Sequence, residues 1–280
     1  MAAVKLPNPS FKHVMPQPDL ETILPAVVSL AKQAGERIMT VYEQDFSILQ
    51  KKDETPVTEA DMAAHAIIDD GLEEIAAEYP VLSEESTSIP FEDRVRWHTY
   101  WLVDPLDGTR EFIKRNGEFT VNIALIDNHR SVLGAIYAPV LGTSYYAAKG
   151  MGAYKQEADR EAVRINVAKQ RRDKIIVAGS RSHPSERLKI FLNNLPDYEL
   201  LSIGSSLKSC LVAEGAADIY ARLGPTSEWD TAAAQCIVEE AGGHITDTNM
   251  QTLAYNTKES LLNPHFFVFG DTKTNWASFL

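Results

Sequence analysis

Apolar residues at Val27, Val28, Leu30, Ala31, Ala34, Ile38, Val41 and Tyr42 recur at helical spacing and predict a first amphipathic helix ending near Tyr42. Pro25 falls near its start or marks a bend. The polar stretch KKDETPVTEAD interrupts the pattern, and helical periodicity resumes over residues 59–79. Thr58 is placed to cap this second helix, and Asp61, three positions on, completes a capping-box pattern. Short apolar runs at Val81 and Leu82 and over residues 100–103 read as strands.

Farther along, FTVNIALI and VLGAIYAPV are β-rich, and TSYYAAKGMGAYK resembles a strand and turn, so the middle of the chain predicts an antiparallel sheet. From about Lys174 the pattern changes. KIIVAG, ELLSIG and ADIYA read as strands, separated or followed by helices after Pro184, from Ser206 and from about Asp230. Strands alternating with helices predict a second α/β unit. The expected organisation is a proline-containing arm (residues 1–18), a first α+β lobe (19–155) and a second α/β lobe (156–280).

Composition narrows the function classes. Asp and Glu outnumber Lys and Arg by 39 to 27, for a net charge of −12. That balance argues against nucleic acid or an anionic membrane as a partner. An anionic substrate would need metal ions or a few placed cations. The two cysteines, Cys210 and Cys236, lack CxxC spacing and suggest a reducing, cytosolic setting. The N-terminus lacks the apolar run of a signal peptide, and no uninterrupted apolar stretch is long enough to span a bilayer.

The chemistry concentrates in WLVDPLDGTREF, residues 101–112. Asp104 and Asp107 follow an apolar run, where like charges repel and carboxylates lose hydration. Such a pair offers hard oxygen ligands suited to Mg²⁺, with the Leu106 carbonyl between them. Gly108 permits close backbone approach, and a helix starting near Thr109 would aim N–H groups at an anion. Alone, DxxD also fits a solvated acidic turn. Two more acidic segments accompany it: VLSEES, with Glu84 and Glu85 after a β-like run, and SEWDTAAAQCIVEEAGG, with Asp230 opening an Ala-rich helix. Asp230 equally fits an N-cap, and Glu84 a surface carboxylate.

Together, PVTEAD, LSEES, WLVDPLDGTREFI, NGEFTVNIALI and WDTAAA resemble, in order, the inositol monophosphatase-like, lithium-sensitive and magnesium-dependent phosphatases, from about Leu24 to the end. The resemblance implies a layered αβαβα sandwich with its site between two lobes. It places metal ligands at Glu84, Asp104, the Leu106 carbonyl, Asp107 and Asp230, for two or three Mg²⁺ ions. It assigns Asp61 and Thr109 to activation of the attacking water and, with Glu84, to the catalytic set. Glu84, Leu106, Asp107, Gly108, Thr109 and Asp230 would surround the reacting phosphate.

Within the family, GTREF, with Lys114 and Arg115 behind it, is similar to the CysQ-type 3′(2′),5′-bisphosphate nucleotidases. SRSHPS (180–185) and IGSSLKSC (203–210) resemble their nucleotide-holding segments, which would put His183 on the adenosine and Ser205 and Lys208 on the sugar or 5′-phosphate. These residues also fit plainer readings: His183 a surface loop, Ser205 a helix cap, Lys208 a solvated helix position. The resemblance implies hydrolysis of adenosine 3′,5′-bisphosphate to AMP and phosphate, linked to sulfate assimilation. The alternatives are an inositol monophosphatase or broad sugar phosphatase and, from another class, an inactive metal-dependent anion-binding module. A cytoplasmic protein is expected; some family members lie at the cytoplasmic face of the inner membrane, but no amphipathic anchor here requires it. Oligomeric state stays open.

Overall fold

The computed structural model describes residues 18–44, 48–50, 56–86, 89–180 and 185–280. The N-terminal arm, apart from Pro18, lies outside the described residues, as does His183.

Helix α1 (Leu20–Tyr42) starts where the Asp19 carboxylate accepts the Thr22 N–H, and it contains Pro25 in its second turn. It buries Val27, Val28, Leu30, Ala31, Ala34, Ile38 and Val41, residues whose spacing predicted it, and Leu24 besides. Helix α2 (Glu59–Ala76) packs on α1 and buries Ala60, Ala64, Ile68 and Leu72. It stops three residues before the apolar pattern does, and Tyr79 is buried in the turn that follows.

Both helices cover one face of a seven-stranded sheet made of β3 (Val81–Ser83), β4 (Thr99–Asp107), β5 (Thr120–Asp127), β6 (Arg130–Ala138), β7 (Thr143–Ala148), β8 (Gly152–Glu157) and β9 (Val163–Ile165), in that spatial order. β3 and β4 run parallel and every later pair is antiparallel. The sheet thus continues beyond residue 155, where the sequence pattern suggested a lobe boundary. A separate two-stranded pair, β1 (Ile48–Gln50) and β2 (Pro56–Thr58), precedes α2. Strand β5 is buried on both faces. Val121, Ile123 and Leu125 join the core under α1 and α2, while Ala124 and Ile126 join the core on the opposite face. Burial of each such Val, Leu or Ile contributes about 1.5–3 kcal/mol.

The second sheet has the order β11 (Tyr198–Ser202), β10 (Ile175–Gly179), β12 (Ile219–Arg222), β14 (Phe266–Phe269), β13 (His244–Asp247). Its first three strands are parallel. Helix α5 (Glu186–Asn194) connects β10 to β11, α6 (Leu207–Ala213) connects β11 to β12, and α7 (Trp229–Glu240) connects β12 to β13. α6 and α7 lie between the sheets; α5 covers the outer face with the terminal turn Trp276–Phe279. Short helices α3 (Phe91–Arg94) and α4 (Thr109–Ile113) flank β4. The result is the expected αβαβα sandwich. Among the described residues no helix is long and apolar enough to cross a membrane.

The middle layer must be thin. Gly134 on β6 faces α7, where an added Cβ would come within 2.2 Å of the Ala233 carbonyl oxygen. Ala232, Ala233 and Ala234 on the helix complete this close approach.

Candidate active site

Three chain segments converge at the edge of the middle layer. Pro105, without an N–H, lies where the β4–β5 ladder is interrupted between Asp104 and Asp107. In that irregularity the Leu106 N–H turns back onto Asp104 Oδ1 at 3.0 Å. Gly108 then takes φ +95°, and a Cβ there would meet the Glu118 carbonyl oxygen at 3.1 Å, so glycine is required. Glu84 opens the 3-10 turn Glu84–Ser86 directly after β3, whose Ser83 pairs with Val103 of β4. Asp230 arrives from across the layer in the first turn of α7.

Carboxylate oxygens of Glu84, Asp104 and Asp230 lie within 4.8 Å of one another. Burial, followed by repulsion from Glu84, Asp107, Asp230 and Asp61, pushes the Asp104 carboxyl well above the usual range. Burial, then Asp107 and Glu84, pushes Asp230 up to about 8. An all-oxygen set whose members resist ionising together fits a hard dication, which would relieve both repulsion and desolvation. Asp230 is not the N-cap, a position held by Glu228; its Oδ2 accepts the Ser227 N–H at 3.0 Å. Asp107 stands beside this trio rather than in it. Its Oδ2 accepts both the Ser206 N–H, at 2.6 Å, and the Ser206 hydroxyl, at 2.8 Å.

Asp61 is buried, and its two oxygens face different partners. Oδ2 accepts the Thr58 N–H at 2.8 Å and the Thr58 hydroxyl at 2.7 Å, closing the capping box. Oδ1 accepts the Thr109 hydroxyl at 3.3 Å, and the Leu106 carbonyl lies 3.4 Å from that same hydroxyl. The sequence offered Asp61 a capping box with Thr58 and, through the resemblance, a pairing with Thr109. One carboxylate makes both sets of contacts.

A cavity of about 210 Å³ opens beside the acids, lined by Asp107, Gly108, Ser205, Lys208, Arg222 and Asp230 among others. A second, of about 290 Å³, adjoins it and shares Lys208, Tyr220, Arg110 and Arg222 with the first. Lys208 is not a solvated helix position: only 6% is exposed. Its ammonium donates to the Ser205 carbonyl at 2.6 Å and sits 5.4 Å from the Tyr220 ring centroid. Burial pushes its pKa down, against the pull of Asp107. Ser205 does not cap α6, because the helix starts at Leu207 with Ser206 in the cap position. Ser205 has φ +47° and a buried hydroxyl without a partner.

Several residues of this site escaped the sequence reading. Arg222 ends β12 at the cavity, where its guanidinium donates to the Thr226 hydroxyl and to the Pro225 carbonyl. A cation closing a strand that ends at a ligand cleft was the available signal. Ser206 and Asn122 were hidden because their meaning is tertiary; Asn122 shows only as a polar residue within an apolar strand. Both cysteine thiols are free and buried, and burial raises their pKa values.

Comparison with known proteins agrees with this geometry. The chain is 50% identical over 249 residues to the 3′(2′),5′-bisphosphate nucleotidase CysQ of Salmonella typhimurium, covering 88% of this chain and 99% of that protein. It is 49% identical to the protein of the same name from Escherichia coli K12, with the same coverage. Among solved structures it resembles CysQ from Bacteroides thetaiotaomicron with a TM-score of 0.77 and 43% identity, covering 88% of this chain and 96% of that one. The model of the inositol monophosphatase family matches residues 19–274, and the chain belongs to that family.

Proposed function

We propose that this protein is a Mg²⁺-dependent 3′(2′),5′-bisphosphate nucleotidase that converts adenosine 3′,5′-bisphosphate and water to AMP and phosphate. One observation carries the reading. The carboxylate cluster of Glu84, Asp104 and Asp230 reaches, through Asp230, a cavity that Lys208 and Arg222 also line. This is a place for two phosphates in different surroundings, one beside the acids and one beside the cations, in a chain about half identical to proteins named for that activity.

Glu84, Asp104, Asp107, Asp230 and the Leu106 carbonyl would hold two or three ions. When bound, Mg²⁺ draws charge from the phosphate oxygens, makes a water easier to ionise and neutralises the departing ribose oxygen. The protein moves the proton. Thr109, bonded to Asp61 Oδ1, takes a hydrogen from the attacking water while passing its own to Asp61. The water oxygen forms the new P–O bond as the bond to the 3′ oxygen breaks, and the ribose oxygen recovers a proton from solvent. Asp61 can act without disturbing α2 because its other oxygen already holds the Thr58 N–H. Ser205 and His183 would contact the nucleoside, with Lys208 and Arg222 near the 5′-phosphate.

The test is phosphate release from adenosine 3′,5′-bisphosphate against inositol 1-phosphate at equal Mg²⁺. A kcat/KM preference of about 100-fold or more for the nucleotide is expected if the second phosphate is held by charge-assisted hydrogen bonds. Equal efficiencies would return the protein to the broad phosphatases.

A further inference from the structure

Strand β5 holds two buried polar residues on one face, Thr120 and Asn122, in a segment otherwise apolar. They stand opposite the acids: Asn122 pairs with Asp104 and Thr120 with Asp107 in the β4–β5 register. Asn122 reaches past them, across the middle layer, to Ser206 at the start of α6. The contacts are Thr120 Oγ1 to Asn122 Oδ1 at 3.0 Å, Asn122 Nδ2 to Ser206 Oγ at 2.9 Å, and Ser206 Oγ to Asp107 Oδ2 at 2.8 Å.

The direction of this chain follows from its acceptor-only end. Ser206 Oγ contacts Asp107 Oδ2 and, at 2.9 Å, the Asp230 carbonyl oxygen. Neither can donate, so the single hydroxyl proton must go to one of them. The same Oγ then has only acceptor capacity left for Asn122, which must present its NH₂ rather than its carbonyl. The Asn122 carbonyl consequently faces Thr120 and must receive that hydroxyl's proton. All three donors point toward the acids.

We propose that Asn122, oriented by Thr120, is a positioning residue for the metal site. It occupies the acceptor side of Ser206 and thereby commits the Ser206 proton to Asp107 or the Asp230 backbone, fixing the Asp107 carboxylate that would serve as a ligand. The proposal rests on the reading of Asp107 as a metal ligand. It also explains why a polar side chain sits at an otherwise apolar strand position: the β5 amide ties the first sheet to the segment that carries Ser205 and Lys208.

The experiment is Mg²⁺ titration into the metal-free full chain by isothermal titration calorimetry, with kcat at saturating Mg²⁺ measured alongside. Asn122→Ala and Ser206→Ala should each weaken Mg²⁺ binding about tenfold, with a smaller change in kcat at saturation. Their double variant should lose little more than either alone. Asn122→Asp discriminates most sharply. A bystander charge beside the site would tighten cation binding, whereas an acceptor-only side chain competing for the Ser206 proton should weaken it. Unchanged binding in Asn122→Ala, tighter binding in Asn122→Asp, or fully additive losses in the double variant would each overturn the proposal. Asp107→Asn separates the two levels. If it leaves Mg²⁺ binding intact, the ligand reading fails; if it abolishes binding while Asn122→Ala keeps wild-type affinity, only the positioning role fails. Should Asn122→Ala not fold, the near-isosteric Thr120→Val removes the donor that orients the amide, and wild-type Mg²⁺ affinity in that variant would overturn the relay.

Discussion

The two ends of the cleft are built on opposite electrostatic plans. At one end Glu84, Asp104 and Asp230 come from three elements and crowd within 4.8 Å, and burial first, then mutual repulsion, holds Asp104 and Asp230 back from ionising. At the other, Lys208 and Arg222 already donate to nearby oxygens: Lys208 to the Ser205 carbonyl, Arg222 to the Pro225 carbonyl and the Thr226 hydroxyl. The acidic end needs a ligand to be comfortable, whereas the basic end is organised before one arrives. A cation at such an acidic end would relieve both desolvation and repulsion, and a preorganised basic end lowers the cost of ordering it on binding.

The largest expected effect comes from breaking the acidic end. If the carboxylate mainly serves an ion, Asp104→Asn should abolish Mg²⁺-dependent phosphate release while the protein stays folded. Circular dichroism and a turnover assay across a Mg²⁺ series check this, and near-normal activity at limiting Mg²⁺ would remove Asp104 from the ligand set.

Asp61→Asn tests the shared carboxylate. An amide can still accept the Thr58 N–H but cannot take a proton, so kcat should fall about 10²–10⁴-fold. Stability should fall by about 1 kcal/mol or less. Steady-state kinetics and the unfolding midpoint, measured on one preparation, separate the two oxygens' tasks. A lowered midpoint with normal kcat would leave Asp61 as a cap alone.

At the basic end, Lys208→Met keeps the apolar stem and removes the charge. The bisphosphate should lose about 1.5–3 kcal/mol in kcat/KM, while a simple sugar monophosphate loses far less. Equal losses on both substrates would make Lys208 a general electrostatic or structural residue and dissolve the contrast between the ends.

The smallest effect is on the metal-free protein. Asp104 and Asp230 have folded-state pKa values raised above the 3.8 of an ordinary aspartate. Between that value and the raised ones, the native state binds more protons than the unfolded chain. Stability in EDTA should therefore fall as pH rises from about 4 toward 8. Mg²⁺ replaces those protons, so the gain in unfolding midpoint on adding it should grow over the same window. Asp230→Asn should flatten both trends in thermal melts; a slope unchanged by that substitution would place its origin elsewhere.

The sequence made the acidic end far easier to read than the basic one. Asp104, Leu106, Asp107, Gly108 and Thr109 are consecutive or nearly so, and the strand that precedes them is apolar enough to place them at its end. The helical periodicities of α1 and α2 were equally plain, because a repeating burial face is a local property. Lys208 was not legible in the same way. Its helix is seven residues long, too short for periodicity to say which side is buried, and its ammonium is covered by Tyr220 from another strand. Nor does any local pattern tie Ser206 to Asp107 or Asn122 to Ser206, since those contacts exist only once two sheets enclose a common helical layer. The order of the second sheet, with β10 between β11 and β12, was invisible for the same reason.

The missing side chain at Gly134 has a mechanical meaning for the carboxylate cluster. Asp230 and Ala233 lie three residues apart on α7 and so share a helix face, and Ala233 rests directly on the Gly134 backbone. The gap between Asp230, on the helix, and Asp104, on the sheet, is therefore gauged by a backbone-to-backbone contact one turn away. A methyl group at residue 134 would act as a shim, lifting the helix and parting Asp230 from Asp104 without altering either side chain. The spacing of the two carboxylates is set in the floor of the sheet, and an engineer wishing to change it would begin there.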